Sequence, residues 1–558
     1  MSDERPPVRW GAVALAAAAA VWAVVPYALA TQGLGYLISV DALLLLLLVI
    51  VLPRARWVAL AGYAALLAWE VVRSVGASLM DQDPLLYDLL YLIRHFVVLG
   101  RDLLGGALVP VVLGVGVALL CGAAVGVFLL DRGRHGPRSE WVGGVLGLAL
   151  IVWAAGGPAR FSTVALGKNL VASAEVGSEV GSLIRAADYD RYTELSLTAR
   201  PDLHVYVVES YGRILHQRKG TRQQWEGETR ERERALRKEG YAAVSAFATA
   251  PVSGGRSWLA DASLLTGRTI AHESVFNEVM AQVDGMVHLP GLLASAGYET
   301  ILVRPKDRAR AGVELRNDLD FQHTVFFDEL AYEGPAVGWG WIPDQYTLGW
   351  LREHRLGDDH PDGPPRFVFA HLVSSHAPWH VVPEKVDDWH TLATAEAPAP
   401  LDGIDEVDEV HEADARGAWE ELWVQLGRYQ RREGHRGKRK ATVSHVQRYA
   451  KAVSYDLDVL TEHVLALPER PAVIVLLGDH QPPLVTRDDD FDVPIHVLAR
   501  DPALLEPLRR HGFVPGWEVP ASAAPVARLE GLMSLLLHQL AAADGQDLPV
   551  WRGGVPGR

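Results

Sequence analysis

Cysteine is almost absent from this chain: the 558 residues hold one, Cys121. No intramolecular disulfide can form, so a disulfide scaffold is excluded and the chain does not depend on redox chemistry. A surplus of positive charge is missing too. Lys and Arg number 53 against 68 Asp and Glu, a net charge of −15, which argues against a nucleic-acid partner. Residues 1–157 are balanced, with ten basic and ten acidic side chains, so the whole acidic excess belongs to the remainder.

What residues 1–157 lack is polar sequence. Nearly unbroken apolar stretches occupy about 10–30, 36–52, 57–75, 104–130 and 141–155. At 1.5 Å per residue, roughly 20 residues cross a bilayer core of about 30 Å, so five spans are predicted. The run from Ala42 to Val51 has no polar face to turn toward water, which disfavours a soluble helical core. Arg5 and Arg9 precede the first span, Arg54 and Arg56 follow the second, and Arg132, Arg134 and Arg138 follow the fourth. Those segments belong on the cytoplasmic side, and an odd number of spans then exports everything beyond residue 158. The first span is too long, and too quickly followed by others, to read as a cleaved signal. Asp41, Glu70 and Arg73 fall toward the outer ends of their helices, as interface anchors or as a relay.

The predicted organisation is a transmembrane helical bundle over 1–157, a linker with an amphipathic helix over 158–195, a globular domain over 196–545 and a tail over 546–558. Within the globular domain, short apolar runs at 203–208, 300–303, 367–370, 473–477 and 495–499 read as strands. Helical stretches lie at 223–239, from 262 onward, and at 419–432, 444–467 and 526–541. Such alternation argues for an α/β domain with a mostly parallel central sheet. Residues 387–440 run from Pro-, Ala- and acid-rich sequence into a basic tract, which reads as a solvated flexible insertion.

In open α/β sheets, functional residues gather beyond the carboxyl ends of strands. Glu209 ends the first strand, and Asp479 with His480 follows Gly478 at the end of another. A lone carboxylate there can equally cap a helix, but with the Asp-His pair it suits a divalent metal site of mixed oxygen and nitrogen ligands. The run Ser253-Gly-Gly-Arg-Ser-Trp-Leu-Ala-Asp-Ala-Ser-Leu-Leu-Thr-Gly-Arg268 places Ser257 at the start of a helix, as a nucleophile loop would.

That run resembles the active-site segment of sulfatases, where a modified Cys or Ser opens Cys/Ser-x-Pro-x-Arg and Leu-Thr-Gly-Arg follows. Leu259 and Asp261 stand where the modification signal has Pro and Arg, so Ser257 is expected to act as an unmodified hydroxyl. More widely, the chain resembles the alkaline phosphatase and sulfatase superfamily, and within it the membrane-anchored lipoteichoic acid synthase group. The resemblance implies a sulfatase-like fold and a metal, Mn²⁺ favoured with Zn²⁺ or Mg²⁺ as alternatives, held by Glu209, Ser257, Asp479 and His480. It also implies that Ser257 is the nucleophile, with Arg256 in the place of the family's Lys, and that His376 binds substrate. The family's His-Gly-Asp and Phe-Trp-Asn-Arg stretch has no counterpart; the comparable region, Val303 to Arg308, is basic instead. His371 reads as a core residue, and His496 as either a structural residue or part of a second metal site. Trp339, Trp341 and Asp344 border a loop that either lines a pocket or meets the membrane.

The function implied is transfer of a phosphorus-containing headgroup, phosphoglycerol favoured, from a membrane phospholipid to an envelope glycan or lipid. The setting is a bacterial cytoplasmic membrane, with the N-terminus cytoplasmic and the catalytic domain outside. Phosphoethanolamine transfer is disfavoured by the missing cysteines. The alternatives are a phosphodiesterase or sulfatase-type hydrolase and a non-catalytic envelope protein on the same fold.

Overall fold

The computed structural model describes residues 38–41, 45, 56–80, 85–88, 159–184, 192, 195–198, 200–218, 221–308, 319–338, 341–357, 363–377, 379, 381–394, 396, 443–482 and 491–554. The chain divides into two compact units, residues 1–176 with 410–440 and residues 177–409 with 441–558.

The first unit pairs β1 (Ile38–Ser39) with β2 (Ala159–Arg160) in parallel and contains helix α1 (Arg56–Met80). Helix α2 (Ser162–Ile184) follows β2. Asp41 accepts from Thr163 N at 2.9 Å and from its hydroxyl at 2.8 Å, which satisfies an otherwise orphaned donor of the first turn of α2. Trp57, Val58, Val71 and Val72 of α1 are exposed, as are Phe161, Val164, Leu170 and Val171 around α2. Glu70 and Arg73 are instead buried, 3.6 Å apart. Among the described residues no helix is long and apolar enough to cross a membrane; α1, which covers the third predicted span, carries Arg56, Glu70 and Arg73. The other four predicted spans lie outside the described residues except at 38–41 and 45.

The second unit begins its sheet with β3 (Asp202–Val208), followed by α3 (Ile214–Gln217), α4 (Arg222–Lys238) and β4 (Ala242–Thr249). Next come α5 (Ser257–Thr266), α6 (Glu273–Met280), α7 (Leu289–Ser295), β5 (Glu299–Val303) and β6 (His323–Val325). Then follow α8 (Asp344–Arg355), β7 (Arg366–Leu372), α9 (Val443–Leu465), β8 (Ala472–Gly478) and β9 (Asp492–Ala499). The chain closes with α10 (Glu506–Arg510), β10 (Val514–Pro515), β11 (Ala527–Arg528) and α11 (Gly531–Ala542).

The sheet runs β10-β4-β9-β8-β3-β7-β5-β6, with β11 also on β4. Its centre, β8-β3-β7-β5-β6, is parallel. Every residue of β3 and β7 is buried, as expected of parallel strands covered on both faces. Strand β9 is antiparallel to both β8 and β4, so the sheet is mixed. Two reversals restore direction, and β4 therefore points its carboxyl end to the same edge as β3, β8, β7 and β5. Sequence periodicity misses β4 because Ala-Ala-Val-Ser-Ala-Phe-Ala-Thr is too rich in Ala to read as a strand. The expected insertion starts within ordered structure: Trp389, in a 3₁₀ turn at Trp389–Ala393, packs edge-on against Tyr346 with ring centroids 5.0 Å apart. Residues 397–440 lie outside the described residues.

Candidate active site

The strand order makes β3 and β8 neighbours, and their carboxyl ends deliver Glu209 and Asp479-His480 to one place. Close approach there depends on Gly478, where a Cβ would run into the carbonyl oxygen of Tyr211. The loop after β4 turns through Gly254 (φ 74°), Gly255 (φ 145°) and Arg256 (φ 66°) before α5 begins at Ser257. Positive φ at three successive residues is costly for Arg256 and natural for the glycines. A bond from Gly254 N to Gln481 O, 2.9 Å, ties this turn to the loop after β8. Ser257 is thereby held as the first residue of a helix, at the end where backbone N–H groups and the helix dipole favour negative charge.

Glu209, Ser257, Asp479 and His480 are all buried. Ser257 Oγ lies 2.8 Å from Glu209 Oε2 and 3.4 Å from His480 Nε2. His480 Nε2 lies 3.2 Å from Glu209 Oε1 and 3.3 Å from Asp479 Oδ2. Tetrahedral ligands at about 2.0–2.1 Å from a metal are separated by roughly 3.3–3.4 Å, close to these spacings. Asp479 Oδ1 accepts from Ser210 N and His480 N at 2.8 and 2.7 Å, whereas its buried Oδ2 has no hydrogen-bond partner. His480 Nδ1 donates to Gln481 O at 2.9 Å, which leaves the lone pair on Nε2, facing the cluster. An open carboxylate oxygen, a second carboxylate and an oriented imidazole nitrogen, all buried together, fit a divalent cation.

Charge in the cluster is tightly balanced. Burial alone would raise Glu209, but His376, His371 and His480 around it hold its carboxyl well below the usual range. Burial, and then the charge of Glu209, push Asp479 up. Burial opposes protonation of His480, yet Asp479 and Glu209 raise it to about 9. Such protons give way when a cation takes the same lone pairs.

Four of the sequence-predicted residues are thus brought together, and His376 is placed close enough for its charge to act on Glu209. Its Nδ1 pairs with Ala377 O at 2.6 Å, and burial lowers its basicity against the pull of Glu209. Arg256 sits at the turn before Ser257, with Nη1 donating to Ala271 O at 3.4 Å. His496 is not brought to the cluster. It faces the sheet's interior, with Nδ1 2.8 Å from Ser245 Oγ and Nε2 2.9 Å from Tyr211 OH. Ser245 gives its own proton to Gly516 O, so Nδ1–H donates to Ser245 and Nε2 accepts from Tyr211; both nitrogens are used within the fold.

Sequence reasoning missed two features of the site. His371, buried as expected of a core residue, lies with Nε2 3.4 Å from Glu209 and 3.6 Å from Asp479, while Nδ1 is 3.0 Å from Asp261. Asp261, noticed in the sequence only as a departure from the sulfatase signal, is therefore the carboxylate behind His371. Lys306 Nζ lies 3.8 Å from Glu209 Oε2; its signal was the basic loop after β5. The Leu-Thr-Gly-Arg end of the run is structural: Arg268 is buried and donates to the carbonyls of Thr266, Leu183 and Val287.

No protein-family model and no curated protein matches the chain. Among solved structures it is similar to the lipoteichoic acid synthase LtaP from Listeria monocytogenes, with 15% identity and a TM-score of 0.34 over 56% of this chain and 71% of that one. It is also similar to the periplasmic domain of EptC from Escherichia coli complexed with Zn, with 14% identity and a TM-score of 0.34 over 63% of this chain and 87% of that one. A third is the Streptococcus pyogenes phosphoglycerol transferase GacH in complex with sn-glycerol-1-phosphate, with 11% identity and a TM-score of 0.37 over 67% of this chain and 97% of that one. At these values no residue's role is transferred, and the site rests on its own geometry.

Proposed function

We propose that this chain is a membrane-anchored, metal-dependent transferase that moves a phosphorus-containing headgroup, phosphoglycerol first, from a phospholipid to a cell-envelope acceptor through a phosphoester of Ser257. The observation that carries this reading is the Ser257 hydroxyl, at a helix N-terminus, 2.8 Å from Glu209 and 3.4 Å from His480 beside an open Asp479 oxygen. A divalent cation held by Glu209, Asp479 and His480, Mn²⁺ favoured, supplies Lewis acidity that lowers the pKa of a serine hydroxyl and offsets phosphoryl charge.

In the first displacement, Ser257 Oγ bonds to phosphorus and the bond from phosphorus to the diacylglycerol oxygen breaks. The proton leaving Ser257 ends on that oxygen. In the second displacement, an acceptor hydroxyl takes the headgroup and its proton returns to Ser257. His376 is the residue proposed to carry the proton: with Nδ1 donating to Ala377 O, the lone pair is on Nε2. Lys306 and the first N–H groups of α5 face the negative charge of the phosphoryl oxygens. The exposed apolar side chains of α1 and around α2 support a membrane location, where donor and diacylglycerol product both reside.

The test is to incubate the purified full chain in detergent with phosphatidylglycerol and Mn²⁺, Zn²⁺ or Mg²⁺, and to follow diacylglycerol and a Ser257 adduct by mass spectrometry. Because GacH was solved with sn-glycerol-1-phosphate, that compound is the first competitor to add. Diacylglycerol release with an adduct on Ser257, absent from Ser257→Ala, is the expected result. An adduct that persists in Ser257→Ala removes the mechanism, and free glycerol phosphate without transfer to any acceptor makes the protein a hydrolase.

A further inference from the structure

Two buried acids stand next to the site and take no part in the chemistry above. Asp344 opens α8 and Asp456 lies within α9, and neither is measurably exposed. Between them they take the first three backbone donors of the turn that follows β7. Asp344 accepts from Val373 N at 2.8 and 3.0 Å and from Ser374 N at 2.6 Å, and Asp456 Oδ2 accepts from Ser375 N at 3.0 Å. The turn is held from its other side as well. Ser375 Oγ donates to Glu209 O at 2.6 Å, Trp379 Nε1 donates to Ser375 O at 2.6 Å, and His376 N closes the turn on Val373 O at 3.0 Å.

The two carboxyls hold the adjacent amides Ser374 N and Ser375 N, which sets them side by side, and each acts on the other's charge. Two carboxylates in contact in a buried place repel, so one proton must lie between them. Asp344 has the claim to remain ionised, since it accepts three N–H contacts and sits in the first turn of a helix. Asp456 Oδ1 has no donor of its own, which leaves it as the oxygen to carry the proton. The other polar groups facing the pair are Ser374, whose hydroxyl accepts from Asp344 N at 3.0 Å, Ser375, and Tyr455, whose hydroxyl accepts from Gln345 N at 3.4 Å.

We propose that Asp344 and Asp456, sharing one proton, are positioning residues that hold the Val373–His376 turn against the Glu209 carbonyl and so place Glu209 and His376 for catalysis. This rests on the reading of the site given above. Burial and the neighbouring acid raise Asp456 well above its ordinary value, and burial raises Asp344. A raised folded-state pKa gives stability that is present at low pH and is lost as pH rises through it.

Asp456→Asn copies the protonated acid, with Nδ2 donating to Asp344 and Oδ1 accepting from Ser375 N. Asp456→Ala removes both contacts. Three readouts separate them: melting temperature against pH from about 4, the unfolded carboxyl value, to 10, Mn²⁺ affinity by calorimetry, and kcat on bis(p-nitrophenyl) phosphate. The wild type is expected to lose stability toward alkaline pH and Asp456→Asn to lose less. Asp456→Asn keeps kcat and Mn²⁺ affinity within about twofold, whereas Asp456→Ala loses about tenfold or more, the range seen when an outer-shell partner is removed. Equal alkaline loss in wild type and Asp456→Asn, or a folded Asp456→Ala with wild-type kcat and Mn²⁺ affinity, overturns the proposal. If the wild type cleaves no phosphodiester, the functional reading fails, while the pH and Mn²⁺ comparisons still decide the role of the pair.

Discussion

The edge of the sheet where Glu209, Asp479 and His480 meet and its interior, where His496 lies between Tyr211 and Ser245, each set a buried histidine among buried polar side chains. They differ in their lone pairs. Both nitrogens of His496 are spent on protein hydroxyls, and burial holds its basicity far below the ordinary imidazole value. At the edge, Asp479 Oδ2 has no donor and His480 Nε2 points among oxygens. A buried histidine network that closes on itself stabilises the fold, and one that leaves acceptors over is prepared for a ligand.

The most damaging way to break this comparison is Gly478→Ala. The new Cβ meets the Tyr211 carbonyl and has to push the turn after β3 away from the end of β8, at an expected cost of about 3 kcal/mol or more; chemical denaturation read with Mn²⁺ calorimetry should show stability and metal affinity falling together. The next pair of variants separates the two regions. His480→Ala is expected to lower metal affinity by at least about 100-fold with a melting temperature near wild type without metal. His496→Ala is expected to cost about 2–4 kcal/mol, because it takes the acceptor from the Tyr211 hydroxyl and leaves a cavity beside it, with metal affinity retained in the folded fraction.

A smaller effect sharpens the interior half. His216 is stacked on Tyr211 and edge-on to Trp225 and Phe247, has no partner for Nε2, and is lowered by burial to about 3. Its folded-state value lies below the unfolded 6.5, so the unfolded chain takes up the proton first and stability falls as pH drops from 6.5 toward 3. His216→Phe keeps the ring and removes the proton site. Urea unfolding should then show the acid slope reduced by about 1.4 kcal/mol per pH unit in that window. The smallest effect is expected at Trp258, 41% exposed beside Ser257: Trp258→Ala should change folding stability by no more than about 0.5 kcal/mol.

Particular residues mark how far the sequence could be read. The buried parallel strands were legible because β7 and β8 contain the apolar runs 367–370 and 473–477 and β3 one broken only by His204, and Glu209, Asp479 and His480 were legible as candidates because they stand at the carboxyl ends of such strands. Strand β4 was not, since half its side chains are Ala. Nor were the partners of Asp261, Lys306, Asp344 and Asp456, although the loop of Asp344 and the basic segment of Lys306 stood out in the sequence. Asp261 lies 110 residues from the histidine it holds, and Asp456 lies 81 from the backbone amide it accepts; no local pattern records pairings of that separation.

By itself, the sequence determined which residue types the site would contain and that they would end buried strands, because alternation and apolar runs are local and are written into neighbouring residues. Only the tertiary structure decided that β4 points the same way as β8 and brings Ser257 to Glu209, that His496 turns inward, and that two buried acids take the amides of Val373, Ser374 and Ser375. Those outcomes follow from strand order and from which donors are already taken, and both are properties of segments far apart in the chain.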